Sequence, residues 1–379
     1  MTSTAEDNQI LTDEKFYSRT IILNRPRQLN ALSNFMNCRL KELFLKWEND
    51  NNVNVLIIKG IGRAFCSGGD VANVCLAGNS GDYSHGTQYF WNEYIMNYIL
   101  ATCRKPQVAL LNGIVMGGGS GISIHGKFRV ATEKTLYAMP ETGLGLHPDV
   151  GASYFLSRLP GFLGEYVGLT GVRLDGAELV TCGLATHFVH STRLQLLEET
   201  LAKVEKADPN LVSSVIDGFS DKICVKDGSA FQRLDIIDKC FAKETVEDIL
   251  STLELESKYV ADKWLKMSIQ SIKKASPVSL KITLRSVREG RKQHLHECLI
   301  REYRLSCHCL LREISNDFYE GCRAILVDKD RNPKWNPDKL EHVTQDMIDH
   351  YFSPVEGFED LRLPIDQRAS STNYIPSKL

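Results

Sequence analysis

Gln107-Val108-Ala109-Leu110-Leu111, followed shortly by Met116-Gly117-Gly118-Gly119-Ser120-Gly121, is the stretch on which the reading of this chain turns. A short, uninterrupted apolar run reads as a buried strand, and the glycines after it read as a sharp turn into a helix-like segment. The same sequence of events occurs earlier, where the apolar run 53–59 precedes Ala64-Phe65-Cys66-Ser67-Gly68-Gly69-Asp70. Turns of this kind leave backbone N–H groups unpaired, and glycine lets a ligand approach them closely. One glycine-rich turn ordinarily does no more than reverse the chain. Two of them, brought together, make a place for an oxyanion. Glu141 and Asp149, in Met139-Pro140-Glu141-Thr142-Gly143-Leu144-Gly145-Leu146-His147-Pro148-Asp149, then supply the proton chemistry that acyl transfer needs. Alone, Pro140-Glu141 would read as the start of a helix.

Working outward, 19–23 reads as a strand, and so do 128–131 and 135–138 on either side of Thr132-Glu133-Lys134. Leu32, Phe35, Met36, Leu40, Leu43, Phe44 and Trp47 recur at helical spacing over 30–50, and 85–103 is a second helix broken before Pro106. Alternating strands, turns and helices predict an α/β unit over residues 16–195. Residues 196–352, including 250–275 and 278–311, are helical by pattern. The polar ends, 1–15 and 353–379, are expected to be flexible.

The 379 residues are 43% hydrophobic, enough for a substantial core. With 45 basic and 47 acidic residues the net charge is −2, so no bulk field points to nucleic acid or to an anionic membrane. No apolar run is long enough to span a bilayer. The eleven cysteines are odd in number and scattered, as expected of reduced thiols. His294, His296, Cys298, Cys307, His308 and Cys309 crowd one helical stretch, but their spacing fits no common zinc site, and no metal is assigned. Neither Ser67 nor Ser120 has glycine at both minus two and plus two, so the nucleophile-elbow pattern is absent, His147 reads as an exposed or packed histidine and Cys66 as a small residue in a tight turn.

These segments resemble the crotonase (enoyl-CoA hydratase/isomerase) superfamily. The likeness runs through Ile22-Leu23-Asn24-Arg25-Pro26, Leu29-Asn30-Ala31-Leu32, Gly62 to Asp70, 116–121, Phe128-Arg129-Val130-Ala131-Thr132-Glu133 and Met139-Pro140-Glu141-Thr142. In the second half, Ser276-Pro277-Val278-Ser279-Leu280, Asp317-Phe318-Tyr319-Glu320-Gly321-Cys322-Arg323-Ala324 and Asp328-Lys329-Asp330-Arg331-Asn332-Pro333-Lys334-Trp335 resemble its 3-hydroxyisobutyryl-CoA hydrolase branch. The resemblance covers about residues 15–352.

It implies a spiral of ββα units with two roughly perpendicular sheets and a helical C-terminal region. It also implies an oxyanion hole from the N–H groups of Gly69 and Gly118, catalytic carboxylates at Glu141 and Asp149, and a substrate-contacting acid at Glu93. Leu29, Ala31 and Ser67 would cradle the CoA adenine, and Arg25 and Arg63 would meet its phosphates. CoA enters as part of an acyl-CoA substrate, with no separate cofactor. Superfamily members are often trimeric, so a homo-oligomer is a partner state to consider, although an enlarged C-terminal region can block that packing. A hydratase would carry a second acid at the position of Gly121, which has no side chain. The resemblance to the hydrolase branch implies thioester hydrolysis. The rivals are an enoyl-CoA isomerase or hydratase and a non-catalytic CoA-binding subunit.

The chain given ends in Ser377-Lys378-Leu379, a tripeptide read by the peroxisomal import receptor. Deleting it is expected to move the protein from peroxisomes to cytosol with catalysis intact. Unchanged location by fluorescence microscopy would make the tripeptide incidental.

Overall fold

The computed structural model describes residues 7–369, so Ser377, Lys378 and Leu379 lie outside the described residues. Among the described residues, ten strands form two sheets. β1 (Ile10–Lys15), β2 (Ser18–Leu23), β3 (Val55–Gly60), β5 (Gln107–Leu111), β7 (Phe128–Ala131) and β10 (His187–Phe188) make the larger one. β4 (Ala64–Cys66), β6 (Ile114–Met116), β8 (Leu136–Ala138) and β9 (Leu174–Asp175) make the smaller. The chain alternates between them: β3 then β4, β5 then β6, β7 then β8. Each pair is one step of a spiral, and parallel pairing of successive steps stacks them.

β3, β5 and β7 are apolar at nearly every position because both faces of the large sheet are covered. Val55, Ile57, Val108, Leu110, Phe128 and Val130 pack on one side with Leu194, Leu197, Leu201, Val212 and Ile216 of the helices Leu194–Leu201 and Pro209–Asp217. Leu56, Ile58, Ala109, Leu111 and Ala131 join the main core on the other side. That core also takes Leu40, Leu43, Phe44 and Trp47 of the helix Asn34–Glu48, which Ser33 caps by accepting from Met36 N.

The long helical stretches are subdivided. The span 250–275 contains parts of two helices, Val246–Glu256 and Lys263–Lys274, and 278–311 parts of two more, Pro277–Gly290 and Leu295–Leu311. Both expected flexible ends need correction. Residues 10–15 pair antiparallel with β2 along their whole length as an edge strand. Solvent on one side leaves that strand's sequence polar. Within 353–369, Leu361 is buried and Arg368 pairs with the carboxylate of Glu48 at 2.9 and 3.0 Å. Glu48 is itself buried and also accepts from the N–H of Arg104 at 2.7 Å.

Arg368→Ala is expected to destabilise the fold by roughly 1–3 kcal/mol in urea unfolding, less than complete isolation of a buried charge because Arg104 still holds Glu48. An unchanged midpoint would mean that this segment does not dock.

Candidate active site

Three neighbouring strand ends build the site. β4, β6 and β8 are parallel and adjacent, so the segments leaving them emerge side by side. From β4 comes Ser67-Gly68-Gly69-Asp70, from β6 comes Gly117-Gly118, and from β8 comes Met139-Pro140-Glu141. Gly117 has φ +48° and Gly68 φ +117°, conformations that side chains disfavour. The approach is as close as glycine allows. A Cβ on Gly118 would lie 3.1 Å from Gly69 N and 2.7 Å from Glu93 Oε1, and one on Gly117 would lie 2.8 Å from Glu141 Oε1.

The first loop is clamped by Leu32, whose N–H donates to Gly68 O at 2.8 Å and whose carbonyl accepts from Asp70 N at 2.9 Å. The intervening Gly69 N–H takes no part in that bridge. Among the described residues, no main-chain acceptor faces the N–H of Gly69 or Gly118.

Gly69, Gly118, Glu93, Glu141 and Asp149 share the lining of one cavity of about 490 Å³, together with Leu29, Ala31, Arg63 and Ser67. Leu29 and Asn30 both have positive φ, at 52° and 58°. The buried Asn30 side chain holds this turn by accepting from Arg25 N at 2.8 Å and donating to Ile61 O and Ala64 O at 3.0 and 2.9 Å.

Arg25 is placed differently from expectation. Its guanidinium donates to Ala31 O at 2.6 Å and to Asp70 at 2.9 Å, so it ties the two loops together and does not line the cavity. The exposed cations on the cavity wall are Arg27, Arg63 and Lys329. Phe90, Leu144, Leu146, Ile325 and Leu326 give the cavity an apolar wall.

Glu93, Glu141 and Asp149 are all buried. Burial pushes Glu141 well above the usual carboxylate range, and the neighbouring Asp149 adds to it. Glu93 is raised in the same way, by burial first and Asp149 next. Asp149 is pushed up to about 7 by burial, against the opposing effect of a hydrogen bond from Tyr94. Carboxylates crowded together in this way cannot all ionise, so acid and base roles separate. The Tyr94 hydroxyl lies 2.7 Å from Asp149 Oδ2 and 2.8 Å from Ser306 Oγ, and Ser306 in turn lies 3.2 Å from His147 Nε2. Glu141 Oε2 is buried with no hydrogen-bond partner in the protein.

The loop after Asp149 is strained and buttressed. Val150 has φ +55°, and its carbonyl meets His125 Nε2 at 2.7 Å. Glu302, fully buried on the helix Leu295–Leu311, accepts from Gly151 N at 2.6 Å and from Ser153 N at 2.9 Å, capping the helix Ala152–Leu156. Tyr94, Glu302, Ser306 and Arg27 line or buttress the cavity and are absent from the sequence reading, while Lys329, quoted there only within a family stretch, joins the cavity wall. Only Arg27 had a visible signal, in the same turn as Arg25. His147 is buried and burial lowers it to about 4, while burial pushes the Cys66 thiol up to about 12. Neither is poised as a base or nucleophile. Gly121 faces a full site: a Cβ there would meet Asn97 Nδ2 at 2.6 Å and Val150 Cβ at 2.7 Å, which leaves no room for a second acid.

The family model for enoyl-CoA hydratase/isomerase matches residues 18–352. The chain belongs to this family. It is similar to 3-hydroxyisobutyryl-CoA hydrolase 1 of Arabidopsis thaliana, 58% identical over 360 residues that cover 95% of each chain. It is also 45% identical to the small ribosomal subunit protein mS47 of the same plant, over 96% of this chain and 90% of that one. Among solved structures, a carnitinyl-CoA dehydratase from Mycobacterium thermoresistibile superposes with a TM-score of 0.85 at 33% identity, over 94% of this chain and 99% of that one. The spiral of paired strands is thus the crotonase fold.

Tyr94→Phe removes a donor that favours the charged form of Asp149. Its pKa should therefore rise above about 7, by roughly 1 unit for a charge-assisted bond. A carboxyl ¹³C titration of Asp149 checks this, and an unmoved midpoint would contradict the assignment.

Proposed function

We propose that the chain hydrolyses the thioester of 3-hydroxyisobutyryl-CoA, releasing the hydroxy acid and CoA in valine breakdown, with 3-hydroxypropionyl-CoA as a second substrate. The observation that carries this reading is the meeting of two unpaired glycine amides with Glu141 and Asp149 in one cavity.

In this reading the thioester oxygen sits on the N–H groups of Gly69 and Gly118, where charge grows as the tetrahedral intermediate forms. Loss of one such donor ordinarily costs about 3–4 kcal/mol of barrier. Glu141, in its ionised form, activates water for attack, the C–S bond then breaking to release CoA, or it attacks the carbonyl itself and expels CoA thiolate to give a transient anhydride that water cleaves to the hydroxy acid. Burial favours its neutral form and raises the proton affinity of the ionised form that takes the proton. Asp149, held by Tyr94, binds the β-hydroxyl of the acyl group and shares the proton with Glu141. Arg27, Arg63 and Lys329 stand where the CoA phosphates leave the cavity, and Leu29, Ala31 and Ser67 cradle the adenine. Glu93 contacts the substrate from the helix Tyr83–Ala101.

The rivals predict other outcomes. A hydratase needs a second acid, and the surroundings of Gly121 leave no space for one. An isomerase would release no thiol. A non-catalytic CoA-binding subunit would bind acyl-CoA and turn nothing over.

A panel of short acyl-CoA thioesters scored for free thiol is expected to give turnover on the β-hydroxy substrates. Glu141→Gln should lower kcat by at least about 10²–10⁴-fold while acyl-CoA binding persists. Near-normal turnover in that variant, or no thiol release by the native chain, would overturn the proposal.

A further inference from the structure

Outside the cavity, three ligating side chains converge where the helix Leu295–Leu311 ends against the helix Gln345–Phe352. They are His308 in the last turn of the first helix, Glu313 just beyond its left-handed cap at Arg312, and His350 in the last turn of the second. One ligand atom from each lies within 4.8 Å of the other two. This is not the six-residue group that the sequence brings to notice. His294 and His296 stack on each other, with ring centroids 5.8 Å apart, and are not part of the cluster.

His308 is 2% exposed, and its two nitrogens have different company. Nε2 lies 3.1 Å from the carbonyl oxygen of Ser353, so Nε2 carries the proton and donates it. Nδ1 then presents a lone pair, and the atom in front of it, 3.4 Å away, is Glu313 Oε2, a second acceptor. The His308 ring is buried, whereas the Glu313 carboxylate in front of Nδ1 reaches solvent. His350 Nε2 is 2.7 Å from the same Glu313 oxygen, and its ring centroid lies 4.6 Å from that of His308.

The convergence of the three ligand atoms suits a cation. With bonds of about 2.0–2.1 Å, a tetrahedral ion holds its ligands roughly 3.3 Å apart, close to the separation of His308 and Glu313. The His350–Glu313 pair would open slightly to admit it. The Ser353 carbonyl already supplies the outer partner that metal-bound imidazoles commonly have, fixing tautomer and ring orientation.

We infer that His308 Nδ1, His350 Nε2 and Glu313 form a binding site for a divalent transition metal of the zinc class. Two imidazoles and one carboxylate suit such an ion, whereas magnesium and calcium prefer sites built of oxygen alone. Three protein ligands leave a fourth position for water. The ion takes no part in thioester chemistry, because none of its ligands lines the carboxylate cavity. Its effect is mechanical. It clips Gln345–Phe352 to the helix that carries Glu302 and Ser306, and so stiffens the support behind Asp149.

The test is calorimetric titration of the chelator-treated full chain with Zn²⁺, with the thermal midpoint measured in parallel and Co²⁺ absorption as a report of geometry. One Zn²⁺ per chain, a rise in midpoint and a tetrahedral Co²⁺ spectrum are expected. His350→Ala and Glu313→Gln, both at accessible positions, should each weaken Zn²⁺ binding by at least the roughly 10–100-fold that loss of a supporting partner costs, and should erase the Zn²⁺-dependent rise. His294→Ala should change neither. Absence of Zn²⁺ binding by the native chain, or binding that persists unchanged in both variants and so belongs to other ligands, would overturn the inference.

Discussion

The parallel register of β4, β6 and β8 is the constraint on which the rest of the structure depends. Each strand is only three residues long, yet the three lie side by side and point the same way. Their ends deliver two glycine loops and Glu141 to one place. Ligands commonly bind beyond the carboxyl ends of parallel strands because the loops there converge and the strand ends leave backbone groups unpaired. The larger sheet keeps that register, since each short strand follows directly from a longer one buried on both faces. A shift of one residue in β6 would carry Gly118 out of reach of Gly69.

The cost of the site is the burial of three carboxyl groups around one cavity. The protein meets it in part by sharing protons and in part by a second layer of hydrogen bonds. Tyr94 and Ser306 steady Asp149, and Glu302 pins the strained loop that follows it. Glu302 and Ser306 belong to Leu295–Leu311, which lies against the helix Tyr83–Ala101 that carries Glu93 and Tyr94. The helical C-terminal region is therefore part of the active-site framework. Residues 18–188 alone would contain the reacting groups and lose their support.

What the sequence revealed followed from locality. Strands buried on both faces announce themselves as apolar runs, and glycines at forced conformations mark the loops, so the α/β spiral and the positions of Gly69, Gly118 and Glu141 were legible. Glu302 was not, because a glutamate in a helix of mixed charge looks solvated until a partner about 150 positions away in the chain arrives beside it. β1 was missed because an edge strand facing water has no apolar alternation. Arg25 shows another limit: a cation next to a ligand loop reads as a phosphate partner, and its pairing with Asp70, distant in sequence, shows only in the fold. The segment 353–369 has a polar composition, and only the pairing of Arg368 with Glu48 reveals that it docks.

The central claim is that one thioester oxygen is held by both glycine amides while Glu141 faces the carbonyl carbon. A crystal structure of the Glu141→Gln variant with 3-hydroxyisobutyryl-CoA bound tests it directly. The account predicts the thioester oxygen about 2.7–3.1 Å from both Gly69 N and Gly118 N, with the β-hydroxyl against Asp149. A thioester lodged elsewhere in the cavity, with either amide left facing water, would contradict it.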